Sequence, residues 1–377
     1  MMPNRHLRST AALAAVILLS ALLAACGSSG AEIPATAVPS APPAPTSPAA
    51  SPTPVPRPTS APTGKGLETA PAATDDRATA AAVADLARQL GVAQDQIRVA
   101  QVENVTWPDG CLGVRRPGVM CAMRVTPGYR VILEAAGQRY PYHTDLAGET
   151  LVLAIQPLPA TTDKALVWEQ DTGSACGRAE IGAQGVAYGQ CSGGLKEGRL
   201  EAARATELAY LLATYQPFIA ATAGGIVAFS GQGQREAVPA EQRSIAEWAR
   251  LVNFEAQGGR SGAAWGVAIA WRREGGIAGM CQELAISLSG WATPGSCKPG
   301  QTTPSRPYRL SSDDLARLYR WVDQYQNFEM VRQDPAVADA MKTTLIFTGN
   351  GAQAPVTAGQ DEIAQFAAKI YATAVRQ

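Results

Sequence analysis

Apolar positions along this chain fall into three regimes. A run from Ala11 to Ala25 comes first, apolar apart from Ser20 and preceded by Arg5 and Arg8. Residues 27–74 follow, built of Gly, Ala, Ser, Thr and Pro with few apolar anchors. From residue 76 onward the apolar positions recur at the periods of helix and strand.

The first periodic segment predicts a helix over 76–90, with Ala80, Val83, Leu86, Ala87 and Leu90 on one side and Gly91 as its C-terminal stop. A strand is predicted from Ile97 to Trp107. Pro108-Asp109-Gly110 then has turn chemistry. Tyr129–Glu134 and Gln138–Thr144 read as a hairpin around Ala136-Gly137, and Leu151–Ile155 closes an α-β-β-β-β unit.

Residues 164–257 and 267–375 repeat one another. Trp168 falls on Trp271, and Cys176 and Cys191 fall on Cys281 and Cys297. At an offset of 110, Leu208, Tyr215 and Phe218 fall on Leu318, Tyr325 and Phe328. At an offset of 118, Phe229-Ser230-Gly231-Gln232-Gly233 falls on Phe347-Thr348-Gly349-Asn350-Gly351. Offsets that grow at a few points are those of loop insertions in a duplicated unit. Alternation at Leu284, Ile286 and Leu288 has strand period. The stripe Leu315, Leu318, Tyr319 and Val322 has helix period, behind a capping box of Ser311 and Asp314. Each copy reads β-β-β-α-β-α.

The expectation is an α+β protein of three small modules, with antiparallel sheets and helices on one face. The boundaries are 1–25 for a signal segment, 26–75 for a tether, 76–158 for the first module, 162–258 for the first repeat and 264–377 for the second. Twelve prolines between Pro34 and Pro71 deny the tether a helix and bias it to extended polyproline II. At about 3.1 Å per residue it reaches up to ~130 Å.

Lysine plus arginine and aspartate plus glutamate both number 32, a formal net charge of zero. That balance lacks the broad basic field of a nucleic-acid binder, and no nucleic-acid partner is expected. The seven cysteines are Cys26 and three close pairs, Cys111 with Cys121, Cys176 with Cys191, and Cys281 with Cys297. Proximity favours these local bridges, each worth about 3 kcal/mol in the chain-entropy model.

The run Leu23-Ala24-Ala25-Cys26, after the basic start and the apolar stretch, resembles the lipobox of a bacterial lipoprotein signal peptide. The apolar stretch is short against the roughly 20 residues of a membrane span. The resemblance implies cleavage before Cys26, lipidation of its thiol and a membrane as partner on the extracytoplasmic side. An ordinary signal peptide cut near Ala25 is the alternative. Gly27 stands where an aspartate would imply inner-membrane retention, so the destination stays open.

Trp107-Pro108-Asp109-Gly110-Cys111-Leu112-Gly113, with Pro127-Gly128-Tyr129 and Tyr142-His143-Thr144-Asp145, resembles a recurring module of bacterial envelope proteins over residues 78–155. That module brings no activity with it. The helix followed by antiparallel strands with a G-x-x-Y-x-Y ending is also similar in architecture to PepSY-type or cystatin-like modules, which implies at most binding or restraint of a peptidase.

Candidate chemistry is sparse. His143 is the only histidine after the signal segment, and it alternates with Tyr142 and Thr144 as a strand residue does. The acidic pairs Asp75-Asp76, Asp313-Asp314 and Asp361-Glu362 read as helix starts, where carboxylates complement the helix dipole. Gly231-Gln232-Gly233 and Gly349-Asn350-Gly351 lack the spacing of a phosphate loop. No catalytic residue, cofactor or metal site is expected. Trp107, Trp265, Trp271 and Trp291 lie near turns or strands and could stack on a sugar or peptide, whereas Trp168, Trp248 and Trp321 read as core. Trp107, His143, Trp265 and Trp291 are the candidate ligand-binding residues. The expected function is non-enzymatic binding or sensing of an envelope protein or glycan. The alternatives are regulation of an exported peptidase and carboxylate-based hydrolysis of cell-wall glycan.

Overall fold

The computed structural model describes residues 76–116, 119–157, 162–259, 266–298, 300, 307–333, 336 and 339–376. Cys26, the signal segment, the tether and Trp265 lie outside the described residues.

Helix α1 (Asp76–Leu90) buries Ala78, Ala82, Leu86 and Ala87. It ends at Gly91 in a left-handed conformation, and the Val92 N–H closes back on the Ala87 carbonyl. Strands β1 (Arg98–Trp107), β2 (Thr126–Ala135), β3 (Gln138–Asp145) and β4 (Leu151–Leu153) follow, each antiparallel to the next. Along β3, buried and half-buried residues alternate strictly. The β2–β3 hairpin turns through Ala136 and Gly137, both at positive φ, as a two-residue turn that matches the strand twist requires.

The first repeat comprises β5 (Lys164–Asp171), β6 (Cys176–Gly182), β7 (Gly185–Gln190), β8 (Lys196–Gly198), α2 (Ala202–Thr214), β9 (Phe218–Thr222), β10 (Gly225–Phe229) and α3 (Pro239–Ala256). The second comprises β11 (Val267–Gly275), β12 (Met280–Ser287), β13 (Trp291–Gly295), β14 (Tyr308–Arg309), α4 (Ser312–Gln324), β15 (Phe328–Arg332), β16 (Lys342–Phe347) and α5 (Thr357–Ala374). Each copy thus carries the expected β-β-β-α-β-α framework plus two short strands. The spatial order is the same in both: β8-β7-β6-β5-β10-β9 and β14-β13-β12-β11-β16-β15, all antiparallel.

The G-x-G segments explain much of that likeness. The Gln232 and Gly233 N–H groups cap the Leu212 and Tyr215 carbonyls at the end of α2. The Asn350 and Gly351 N–H groups do the same for Val322 and Tyr325 at the end of α4. The chains pass so closely that a Cβ on Gly231 would lie 2.0 Å from the Tyr215 oxygen, and one on Gly349 would lie 2.1 Å from that of Tyr325. These glycines serve close backbone approach and helix capping.

The first module and the first repeat share one ten-stranded sheet, joined where Arg139 pairs Asp171. Repeat-one residues Val167, Ala221, Ile226 and Ala228 pack into the same cluster as Leu86, Tyr140 and Tyr142. The opposite face of that repeat carries Leu166, Trp168, Val227 and Phe229 against Leu211, Ile245 and Trp248 of α2 and α3. Being covered on both faces, β10 is buried throughout. The matching outer positions in the second repeat, Val331 and Ile346, are 56% and 46% exposed.

Three disulfides, Cys111–Cys121, Cys176–Cys191 and Cys281–Cys297, bridge Cα atoms 5.2–5.4 Å apart. Such bridges belong to a protein that folds in an oxidising, extracytoplasmic compartment. Among the described residues, no helix is long and apolar enough to cross a membrane.

Asp76 and Asp313-Asp314 stand in first helical turns, as read from the sequence. Ser311 caps α4 by accepting from the Asp314 N–H at 3.2 Å. Asp361-Glu362 sits one turn inside α5 rather than at its start, because the helix begins at Thr357.

Candidate functional site

A cleft of about 540 Å³ opens where the two repeats meet. The first repeat contributes Tyr210 from α2, Tyr215, Arg235 and Glu241. The second contributes Trp291 from β13, Tyr308 and Arg309 from β14, and the start of α4. The Trp291 indole, half-buried, also packs against the hydrophobic core of the first repeat.

The aromatic rings are arranged by local rules. Tyr210 lies off the buried stripe of Leu208 and Leu211, so it faces outward and remains 43% exposed. It meets Trp291 edge-on, 5.6 Å between centroids. Arg309 pairs with Trp291 across the β13–β14 ladder, and its guanidinium lies 5.3 Å from the indole centroid. Arg235 stacks on Tyr215 at 4.5 Å and pairs with Glu241 at 2.8 Å. Glu241 also accepts from the Val238 N–H, which pins the start of α3.

The hydrogen bonds of Arg309 run to neutral oxygens, the Ser289 carbonyl and the Ser244 hydroxyl. Its Nε and the Trp291 Nε1 are buried polar atoms with no hydrogen-bond partner among the described residues. Burial pushes the Tyr215 hydroxyl above its ordinary pKa, with Arg309 opposing. Tyr308 is likewise raised by burial, with Asp314 adding to it. Flat aromatic faces beside two guanidinium groups can stack on and hydrogen-bond a ligand. At the rim, the Ser311 hydroxyl donates to the Asp314 carboxylate at 2.8 Å within the cap of α4.

A second hollow of about 570 Å³ lies where both repeats approach the first module. Its wall carries an ion pair: Arg243 of α3 donates twice to Asp323 of α4, at 2.6 and 2.7 Å, and stacks over Tyr319 at 4.3 Å. Glu247 pairs with Arg250 at 2.9 Å, and burial raises its pKa against the pull of Arg250 and Arg243. This network ties α3 to α4.

Of the candidate ligand-binding residues that are described, Trp291 alone lines the cleft. Trp107 and His143 come together elsewhere, their rings stacked at 3.9 Å. Trp107 is buried rather than available to a ligand, because its Nε1 donates to the Thr144 carbonyl at 2.9 Å across the sheet. The His143 Nδ1 donates to the Leu112 carbonyl at 2.7 Å. Burial lowers the His143 pKa; that hydrogen bond opposes the shift and Arg130 adds to it. The Asp109 side chain accepts from the Cys111 and Gly113 N–H groups, folding the turn that carries Leu112 beneath Trp107. The W-P-D-G-C-L-G run is therefore a self-locking corner. Trp271 is buried as well, in the core of the second repeat.

Sequence reasoning missed Tyr210, Tyr215, Tyr308, Arg235 and Arg309. One usable signal existed: at an offset of 118, Arg235 falls on Gln353, so a charge is present in one copy alone. Both residues make the same parallel bridge, Arg235 with Tyr215 and Gln353 with Tyr325.

A family model described as a domain of unknown function (DUF8738) matches residues 79–153. No curated protein and no solved structure matches the chain.

Proposed function

We propose that this is a lipid-anchored extracytoplasmic lipoprotein that binds an envelope ligand, without chemistry, in the cleft between its two repeats. Cys26, at the end of the lipobox-like run, is the acylated residue, and residues 27–75 are its tether. The proposal is carried by the convergence of Trp291, Tyr210 and Tyr308 with Arg235 and Arg309 in one concave site. A glycan bearing acidic groups matches that lining best. Its C–H faces stack on aromatic rings, and its carboxylates meet an Arg309 whose own hydrogen bonds go to neutral oxygens. A peptide added to the sheet edge fits less well. Strand β14 is two residues long and preceded by Pro307, which has no N–H to offer.

The test is a tryptophan-fluorescence titration of the chain from Gly27 onward with soluble acidic and neutral envelope glycan fragments. A saturable change for acidic fragments, weakened at least about tenfold by Trp291→Ala or Tyr210→Ala, supports the reading. Binding indifferent to both substitutions, or release of cleaved glycan at enzyme-like rates, overturns it. Acylation is read separately, from the mass of the amino-terminal peptide of the membrane-extracted protein.

A further inference from the structure

The loop between β1 and β2 exposes an apolar and cationic surface that the cleft does not use. In its outer part the described residues are 115–116 and 119–125, and all are exposed except Cys121. Met120 and Met123 are each 96% exposed, Val125 63% and Val119 47%. Arg115, Arg116 and Arg124 lie among them, and the chain holds no aspartate or glutamate between Asp109 and Glu134. Large apolar side chains held this far into water mark a contact surface, because burying them is favourable and the described residues leave Met120 and Met123 almost wholly uncovered.

The root of the loop is fixed. The Cys111–Cys121 bridge holds its two ends together, with Cα atoms 5.3 Å apart. The Gly110 N–H donates to the Ala122 carbonyl at 2.9 Å, and Leu112 is anchored with Trp107. Nearby acids are committed elsewhere. Asp109 caps the turn, Glu103 pairs with Arg130, and Asp85, which shares a hollow with Arg116, holds Arg88, Gln89 and Tyr142. Among the described residues no carboxylate is paired with Arg115, Arg116 or Arg124, which suits them to an external anion.

The occupant follows from how charge and apolarity are mixed. A protein interface segregates an apolar centre from a polar rim. Here methionine, valine and arginine interleave within eleven residues of one loop. That mixture suits a lipid interface, where arginines reach phosphates while apolar tips enter the acyl boundary. We propose that the described residues 115–116 and 119–125 of this loop form a membrane-docking element. It inserts Val119, Met120 and Met123 into an anionic phospholipid surface and sets Arg115, Arg116 and Arg124 on the headgroup phosphates. The inference is independent of both the cleft and acylation at Cys26.

The experiment is co-sedimentation of the unacylated chain from Gly27 onward, exported so that its disulfides form, with phosphatidylcholine vesicles with or without phosphatidylglycerol. Binding is expected to the anionic vesicles and to weaken with salt. Each of Arg115→Gln, Arg116→Gln and Arg124→Gln should lower affinity about fivefold. The pair Met120→Ser and Met123→Ser should lower it at least about tenfold. Circular dichroism and thiol counting establish that these variants fold with the bridge intact. Failure to sediment with anionic vesicles overturns the proposal, as does sedimentation that the arginine and methionine variants leave unchanged.

Discussion

Tyr210 of the first repeat and Trp291 of the second meet edge to face across the boundary between the repeats, 5.6 Å between ring centroids. One is partly exposed to solvent and the other is packed on the neighbouring core. Their substitutions should therefore separate. Tyr210→Ala is expected to change unfolding free energy by no more than about 0.5 kcal/mol, and Trp291→Ala to cost about 2 kcal/mol. Urea unfolding followed by circular dichroism measures both. Equal costs would mean that the two rings are buried alike.

The G-x-G segments give a matched pair of tests. A Cβ on Gly233 would lie 2.1 Å from the Thr214 carbonyl carbon, and one on Gly351 would lie 2.1 Å from that of Gln324. Gly233→Ala and Gly351→Ala should each destabilise by about 2–4 kcal/mol, because backbone must move. Thermal unfolding of the two single variants reads this. A neutral result in either copy would refute the shared capping role.

His143 sets a pH dependence whose sign is fixed. Its folded pKa lies below the ordinary value of 6.5, so the unfolded chain binds the proton more readily. Stability should therefore be flat above that value. As pH falls toward the folded pKa, it should decline by at most about 1.4 kcal/mol per pH unit. His143→Gln should remove that component. Glu247 works in the opposite sense, since its raised pKa favours the folded state at acid pH and loses that contribution as pH rises through the folded value. The difference between wild-type and His143→Gln stability curves isolates the histidine.

The Arg243–Asp323 pair is asymmetric, with the arginine side chain 13% exposed and the aspartate 54%. Asp323→Asn leaves a buried cation poorly compensated and should cost about 1–2 kcal/mol, less than a fully buried pair would. Arg243→Met leaves only a solvated carboxylate and should cost less. Chemical denaturation of the two variants decides the order. The reverse order would mean that the stacking of Arg243 on Tyr319 outweighs its charge.

Much of the fold was legible because the alternation and the duplication are both written in apolar positions. The alternation at Leu284, Ile286 and Leu288 became β12, and Ser311 capped α4. Strand β9 was not legible. Its sequence Phe-Ile-Ala-Ala-Thr is apolar nearly throughout, since one face packs on α3 and the other on the first module. Strands β8 and β14 are too short to show a period. The burial of Trp107 depends on Thr144, 37 residues away, so its exposure was overestimated. The cleft was legible only at Trp291. Its other walls come from α2, the Arg235 bridge and β14, and they meet through packing between repeats that leaves no local pattern.

The two sheets share no ladder hydrogen bonds among the described residues. The boundary between the repeats is therefore stitched by side chains alone, chiefly Arg243 to Asp323, Arg309 to Ser244, and Trp291 against the first repeat. A molecule lodged in the cleft that Tyr210 and Trp291 line would touch both halves at once and act as a clasp. Occupancy would then stiffen the seam between the repeats.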